Sequence, residues 1–170
     1  MKQRIALAAT AMVVAASGPL SAAACAHAEP PAGPVVPQAD APCAESLADA
    51  LTLLPDGQTF LECRSGPGGY RWKPFTGPYP ASDRWLSYGP ALELHGQGRR
   101  NPEIMSGPWV GYPQDSGSRC SADQAAVVSA GVVGPPQIST GEPGQPLQFE
   151  VLPVVFTIKL AGYCLWQTAK

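Results

Sequence analysis

Residues 147–160 read Leu147-Gln148-Phe149-Glu150-Val151-Leu152-Pro153-Val154-Val155-Phe156-Thr157-Ile158-Lys159-Leu160. In the first five, Leu147, Phe149 and Val151 alternate with Gln148 and Glu150, the period-two pattern of a strand with one wet face. In the last five, Phe156, Ile158 and Leu160 take inward positions and Thr157 and Lys159 outward ones. Leu152-Pro153-Val154 would join the two strands as a hairpin. Just upstream, Glu142-Pro143-Gly144-Gln145 puts Pro and Gly at the second and third positions of a type II turn. Gly162 suggests a bulge before a last strand over Tyr163 to Gln167. Ala122 to Val133, rich in Ala and Val, reads as one or two buried strands.

The middle of the chain is broken by Gly and Pro every few residues. Short strands fit Gln58–Arg64, Tyr70–Phe75, Trp85–Tyr88, Ala91–His95 and Trp109–Tyr112, divided by Gly66-Pro67-Gly68-Gly69, Gly77-Pro78 and Gly89-Pro90. Gly98-Arg99-Arg100-Asn101-Pro102 reads as an exposed loop. One helix is expected over Cys43 to Leu54, where Leu47, Leu51 and Leu54 recur at i, i+4 and i+7 before Pro55-Asp56-Gly57 stops it. The expected fold is mainly β (α+β): an antiparallel β-sandwich-like domain with one N-terminal helix and two disulfides. No internal repeat is visible. With 18 Gly and 20 Pro in 170 residues, a helical bundle or coiled coil is excluded, since Pro costs ~3 kcal/mol inside a helix.

Met1-Lys2-Gln3-Arg4 is a cationic start, and Ile5 to Ala16 is apolar except for Thr10. Gly18-Pro19 and a run of small residues follow, as in an export signal. Such a run of about 12 residues is too short to span ~30 Å of hydrocarbon. Two readings of its end stand. Ala26-His27-Ala28 before Glu29-Pro30 is an A-x-A cleavage site, giving free secretion; Ala22-Ala23-Ala24-Cys25 is the alternative, with Cys25 lipidated and the protein anchored to the envelope. The missing Leu three residues before Cys25 favours secretion. The expected division is therefore 1–28 signal peptide, 29–42 Pro-rich tether and 43–170 one disulfide-stapled domain. Lys2 and Arg4 belong to the signal, so the remainder keeps 13 acidic side chains against nine basic ones, which argues against a nucleic-acid-binding surface. No later stretch is apolar enough to cross a membrane.

Setting Cys25 aside leaves Cys43, Cys63, Cys120 and Cys164, an even number that suits an oxidising compartment. Four cysteines allow three pairings. Local folding favours Cys43–Cys63 and Cys120–Cys164, with ~3 and ~4 kcal/mol of loop-closure stabilisation. Metal binding fails on spacing: there is no C-x-x-C, and His95 is the sole histidine after the signal. No cofactor is expected either, since glycine-rich phosphate loops are absent.

Eight of the 13 aromatic residues fall between Tyr70 and Tyr112. They either fill a core short of Leu and Ile or line a ligand surface built on Trp72, Trp85, Tyr88, Trp109 and Tyr112. The second reading requires Trp72, Trp85 and Trp109 to be exposed together. Arg99-Arg100, between Gly98 and Asn101, could grip a carboxylate or phosphate with paired forks, or be a solvated loop. Glu93, Glu103, Asp83 and Asp115 offer the carboxylates from which a glycan hydrolase would need two lying ~5–9 Å apart. Asp115-Ser116-Gly117-Ser118 lies too near His95 for a trypsin-like barrel, and no G-x-S-x-G elbow exists.

The Ala-rich signal ending Ala26-His27-Ala28-Glu29-Pro30, the four spaced cysteines and the phrase His95-Gly96-Gln97-Gly98-Arg99-Arg100-Asn101-Pro102-Glu103 carry a resemblance. With them the chain resembles the small exported proteins of mycobacteria and related actinobacteria. That resemblance implies an extracytoplasmic address and no particular activity. Cys43-Ala44-x-x-Leu47, with the next cysteine 20 residues on, is fainter in its likeness to secreted subtilisin inhibitors; the sequence after Cys63 departs from them and offers no reactive loop. The expectation is an exported, non-enzymatic binding protein for an envelope or extracellular ligand or partner. A wall-glycan hydrolase using two carboxylates and a protease inhibitor are the alternatives.

Overall fold

A computed structural model describes residues 34–169, all within one unit of the chain. The export signal, Cys25 and the first part of the tether lie outside the described residues. Ten strands follow in order: β1 (Leu51–Leu53), β2 (Phe60–Gly66), β3 (Gly69–Pro74), β4 (Arg84–His95), β5 (Gly107–Pro113), β6 (Ser121–Ser129), β7 (Val132–Val133), β8 (Gln137–Thr140), β9 (Leu147–Val151) and β10 (Val155–Thr168). They form one mixed sheet rather than two packed antiparallel ones. Its order is β3-β2-β1-β4-β10, and beyond β10 it forks. The single parallel pairing among the described residues sets β1 beside β4 at Leu51 and Trp85.

The fork is made by β10. One edge of this 14-residue strand pairs with β4 along nearly its whole length. On the other edge, Val155 to Ala161 pair with β6, whereas Cys164 to Thr168 pair with β5. The β5–β6 connection must therefore cross β10 where the partners change, and two devices mark that crossing. Gly162 has φ +96°, and a Cβ there would lie 2.2 Å from the Arg119 carbonyl oxygen, so only glycine fits. The Cys120–Cys164 disulfide ties the start of β6 to β10. The register also shifts between Leu160 and Gly162, and the extra residue sits on the β4 side, around Gly89 and Pro90.

Alternation along the strands builds two cores on opposite faces. The larger gathers Leu51, Trp85, Trp109, Ile158, Leu160 and Trp166 with the Cys120–Cys164 bridge. The smaller packs Leu47, Leu61, Trp72, Leu86 and Leu165 around the Cys43–Cys63 bridge. Both pairings are those favoured by the cysteine spacing. In the large core Trp166 donates its indole N–H to Ser87 Oγ (2.8 Å), and the Ser87 hydroxyl donates to the Gly162 carbonyl (2.6 Å). Gln124, also buried, donates to the Glu150 carbonyl (2.7 Å) and accepts from the Leu152 N–H (3.0 Å), bridging β6 to the end of β9.

Several expectations are corrected. No α-helix occurs among the described residues. Cys43–Leu54 holds only a 3-10 turn at Glu45–Leu47, after which Asp49 takes φ +62° and β1 begins. The Leu47/Leu51/Leu54 spacing suits a helix, but Leu51, Thr52 and Leu53 also alternate. Strand pairing with both β2 and β4 wins, helped by buried Thr52, whose hydroxyl donates to the Leu86 carbonyl (2.8 Å). Strands β9 and β10 do not form a hairpin: β9 pairs with β5 alone, and Leu152–Val154 carries the chain away to β6. Phe156 does not point inward with Ile158 and Leu160, because a register shift between Val155 and Thr157 sends Val155 into the core in its place. The type II turn stands, with Gly144 at φ +68° and the Gln145 N–H donating to the Glu142 carbonyl.

The folded part also begins before Cys43. The Asp40 and Cys43 N–H groups donate to the Trp72 and Tyr70 carbonyls, and the Trp72 N–H donates to Ala41, so this stretch of the tether lies along the edge of β3. Pro42, lacking a donor, is tolerated there because this is an edge.

Candidate interaction surface

Trp72, Trp85 and Trp109 are 4, 0 and 1% exposed, so the condition for an aromatic ligand surface is not met. Their sizes fill the two cores, and the polar tips are satisfied inside: Trp85 donates to the Ser82 carbonyl and Trp109 to that of Met105. Tyr88 is buried too, its hydroxyl donating to the Leu53 carbonyl (2.9 Å); burial, aided by the Asp56 charge, raises its pKa above the ordinary value. Tyr112 alone of the five keeps an exposed ring.

Arg99 and Arg100 are exposed on the loop after β4. The Arg99 guanidinium lies over the Phe156 ring at 5.1 Å, a cation–π contact that holds it on the sheet. Three of the four carboxylates meet different partners. Glu93 faces Lys159 (3.6 Å), and Glu103 accepts the His95 N–H (2.7 Å) with His95 Nδ1 at 3.5 Å. Asp115 accepts the N–H groups of Gly117 and Ser118, which makes the Asp-Ser-Gly-Ser segment a turn. Asp83 lines a cleft of about 450 Å³ with Arg84, Val110, Tyr112, Gln167 and Thr168. Arg84 Nε lacks a partner there, while Nη2 donates to the Ser46 carbonyl (2.7 Å). A second cleft of about 450 Å³ is mostly apolar and runs between Pro34–Gln38 and Leu47, Trp72, Leu86 and Tyr163. Among the described residues no three His, Cys, Asp or Glu side chains are placed to hold a metal ion, and no helix is long and apolar enough to cross a membrane.

The feature that sequence reading missed is an arm built from β6, β7 and β8. β10 begins at Val155, opposite Ala126, and the Val127 N–H reaches the Val154 carbonyl (3.0 Å). Beyond that point β6 has only β7 beside it, through Val127–Val133 and Ser129–Val132. The chain turns at Gly131 (φ +75°), and Gly134-Pro135-Pro136 then leads into β8. β8 pairs with Ser121 to Gln124 of β6, opposite the β10 edge. β7 and β8 thus lie end to end along one edge of β6, and no described strand pairs with their outer side.

Val128, Val132, Val133 and Ile138 on this arm are 66, 50, 41 and 69% exposed. Residues 124–141 contain no Asp, Glu, Lys or Arg, although Asp123 and Glu142 bracket them. Edge strands in soluble proteins are usually blunted by charge, often Lys, which stops a neighbour from pairing. Here only Pro135 and Pro136 serve that purpose. The expectation that Ala122–Val133 is buried therefore holds for its first half alone, where Ala122 and Gln124 face the core. The missed signals were the charge-free run itself and Val132-Val133 side by side after Gly131, a pattern without a dry face. No protein family, curated protein or solved structure matches the chain.

Proposed function

We propose that this is an exported, non-enzymatic binding protein that engages a protein partner through the β6–β8 arm. The observation that carries the reading is the charge-free run 124–141, with four exposed aliphatic side chains beside an unpaired strand edge. Apolar surface and open backbone groups together are what a strand-adding partner uses. Two disulfides support an oxidising, extracytoplasmic address. The buried tryptophans do not supply the exposed aromatic surface that the wall-hydrolase reading calls for, and no observation favours the inhibitor reading.

Two experiments test this. Intact mass of the protein from its host should give a species in the medium that starts at Glu29 and is lighter by about four hydrogens, the mark of two disulfides. An acylated start at Cys25 would keep the export and replace secretion with a lipid anchor; a reduced, full-length cytosolic chain would overturn both. A photo-reactive residue at Val132 or Ile138 should give a discrete cross-linked product in the exporting host. The same group at Ser65, exposed near the end of β2, should give none. Equal products at all three positions, or none from the arm, would overturn the binding reading.

A further inference from the structure

We propose that the partner taken by the arm is a second copy of this chain, with β8 pairing antiparallel to β8 about a two-fold axis beside Ile138. This rests on the reading that the arm is an interaction surface. A different protein that selected this chain by charge would find nothing to read on residues 124–141. The surface that matches an uncharged strip is another uncharged strip, and the chain carries one. Outside it acidic groups outnumber basic ones, so two copies repel generally, and the arm is where they approach with the least charge, Asp123 lying one strand back from Ile138 on β6.

The strand geometry fits that occupant. With Ile138 opposite Ile138 of the second copy, Gln137 stands opposite Ser139 and Pro136 opposite Thr140. Pro136 has no N–H to donate, so the ladder stops there. The most exposed aliphatic side chain of the arm is then covered by its own equivalent. Because the contact is isologous, each copy uses up the edge it offers, and the product is a closed pair rather than a growing filament. So short a ladder predicts a weak, reversible dimer.

The test uses the disulfide-bonded chain purified from the exporting host. Sedimentation over about 1–200 μM, a range that spans weak protein–protein affinities, should show a concentration-dependent monomer–dimer equilibrium. Ile138→Lys sets like charges face to face and should weaken the dimer at least about tenfold. Ile138→Glu should do the same. An equimolar mixture of the two variants should recover a heterodimer, which no loss of folding could imitate. Near-ultraviolet circular dichroism and thiol titration keep misfolded protein out of the comparison. A chain that stays monomeric throughout, or a dimer indifferent to Ile138→Lys, overturns the proposal, as does failure of the mixture to recover pairing. A monomeric chain whose arm still cross-links to another protein in the host sinks the second-copy proposal and leaves the binding function standing. A monomeric chain with no arm cross-links sinks both.

Discussion

The large core and the β6–β8 arm are built from the same kind of strand, yet they treat apolar side chains in opposite ways. In the core, Trp85, Trp109 and Trp166 are enclosed by a sheet that forks around β10, and each indole N–H has an acceptor. On the arm, Val128 near the end of β6, Val132 and Val133 on β7 and Ile138 on β8 stay exposed, and no other described strand pairs with the outer edge of β7 and β8. Apolar residues stabilise a fold only where a second surface removes them from water. The core has that surface within the chain. Among the described residues the arm has no such surface.

Thermal and chemical denaturation can break this contrast in order of effect. Trp166→Ala removes a large side chain from the centre of the core and leaves Ser87 without its indole donor. It should cost about 3–5 kcal/mol, read as a lower denaturation midpoint with an unchanged m-value. A loss below about 1 kcal/mol would mean that the core collapses around the gap. Next come the disulfides. Replacing Cys120 and Cys164 by Ser should destabilise by about 4 kcal/mol and replacing Cys43 and Cys63 by about 3 kcal/mol, since the first closes the longer loop. The reverse order would show that the small core depends on its bridge more than loop length implies.

Gly162→Ala follows. Its Cβ must displace the Arg119 carbonyl at the fork while the backbone stays at φ +96°, a loss of about 1–3 kcal/mol. An alanine tolerated without loss would mean that the β5–β6 crossing is loose. Weaker still is a dependence on acid. The Asp56 carboxylate accepts from the Thr59 hydroxyl and from the N–H groups of Thr59 and Gln58, which lowers its pKa below 3.8. A depressed folded-state pKa stabilises above the unfolded value and is lost as pH falls through the lowered one. The difference in Tm between the natural chain and Asp56→Ala should thus be present at pH 7 and shrink as pH falls below the ordinary Asp value of about 4; a constant difference would show that the carboxylate's charge is irrelevant. Ile138→Lys sits at the bottom of the scale. In dilute, monomeric protein it should change stability by less than about 0.5 kcal/mol, because Ile138 covers nothing in its own chain.

The sequence could be read where one segment decides its own state. Alternation in Leu147–Val151 and in Ile158–Leu160 marked strands, and Pro143-Gly144 marked its turn. The cysteine spacing pointed to the two bridges that form. Segments with two compatible patterns were misread. Cys43–Leu54 has both a helical leucine spacing and a short alternation, and β2 and β4, which lie outside the segment, decide between them. The tryptophans were ambiguous for the same reason: a large aromatic is equally at home in a core or on a binding face, and only the enclosing strands settle which.

From its sequence alone this protein is a mainly β, disulfide-stapled chain, because period-two alternation, Gly and Pro punctuation and even cysteine count are local properties. The sequence also carried, unread, the charge-free run from Gln124 to Gly141. Tertiary structure decided that β10 would change partners at Gly162, that β1 would lie parallel to β4, and that the arm would keep its valines in water. Those outcomes depend on which distant strand offers backbone partners and a covering face, and no single segment holds that information.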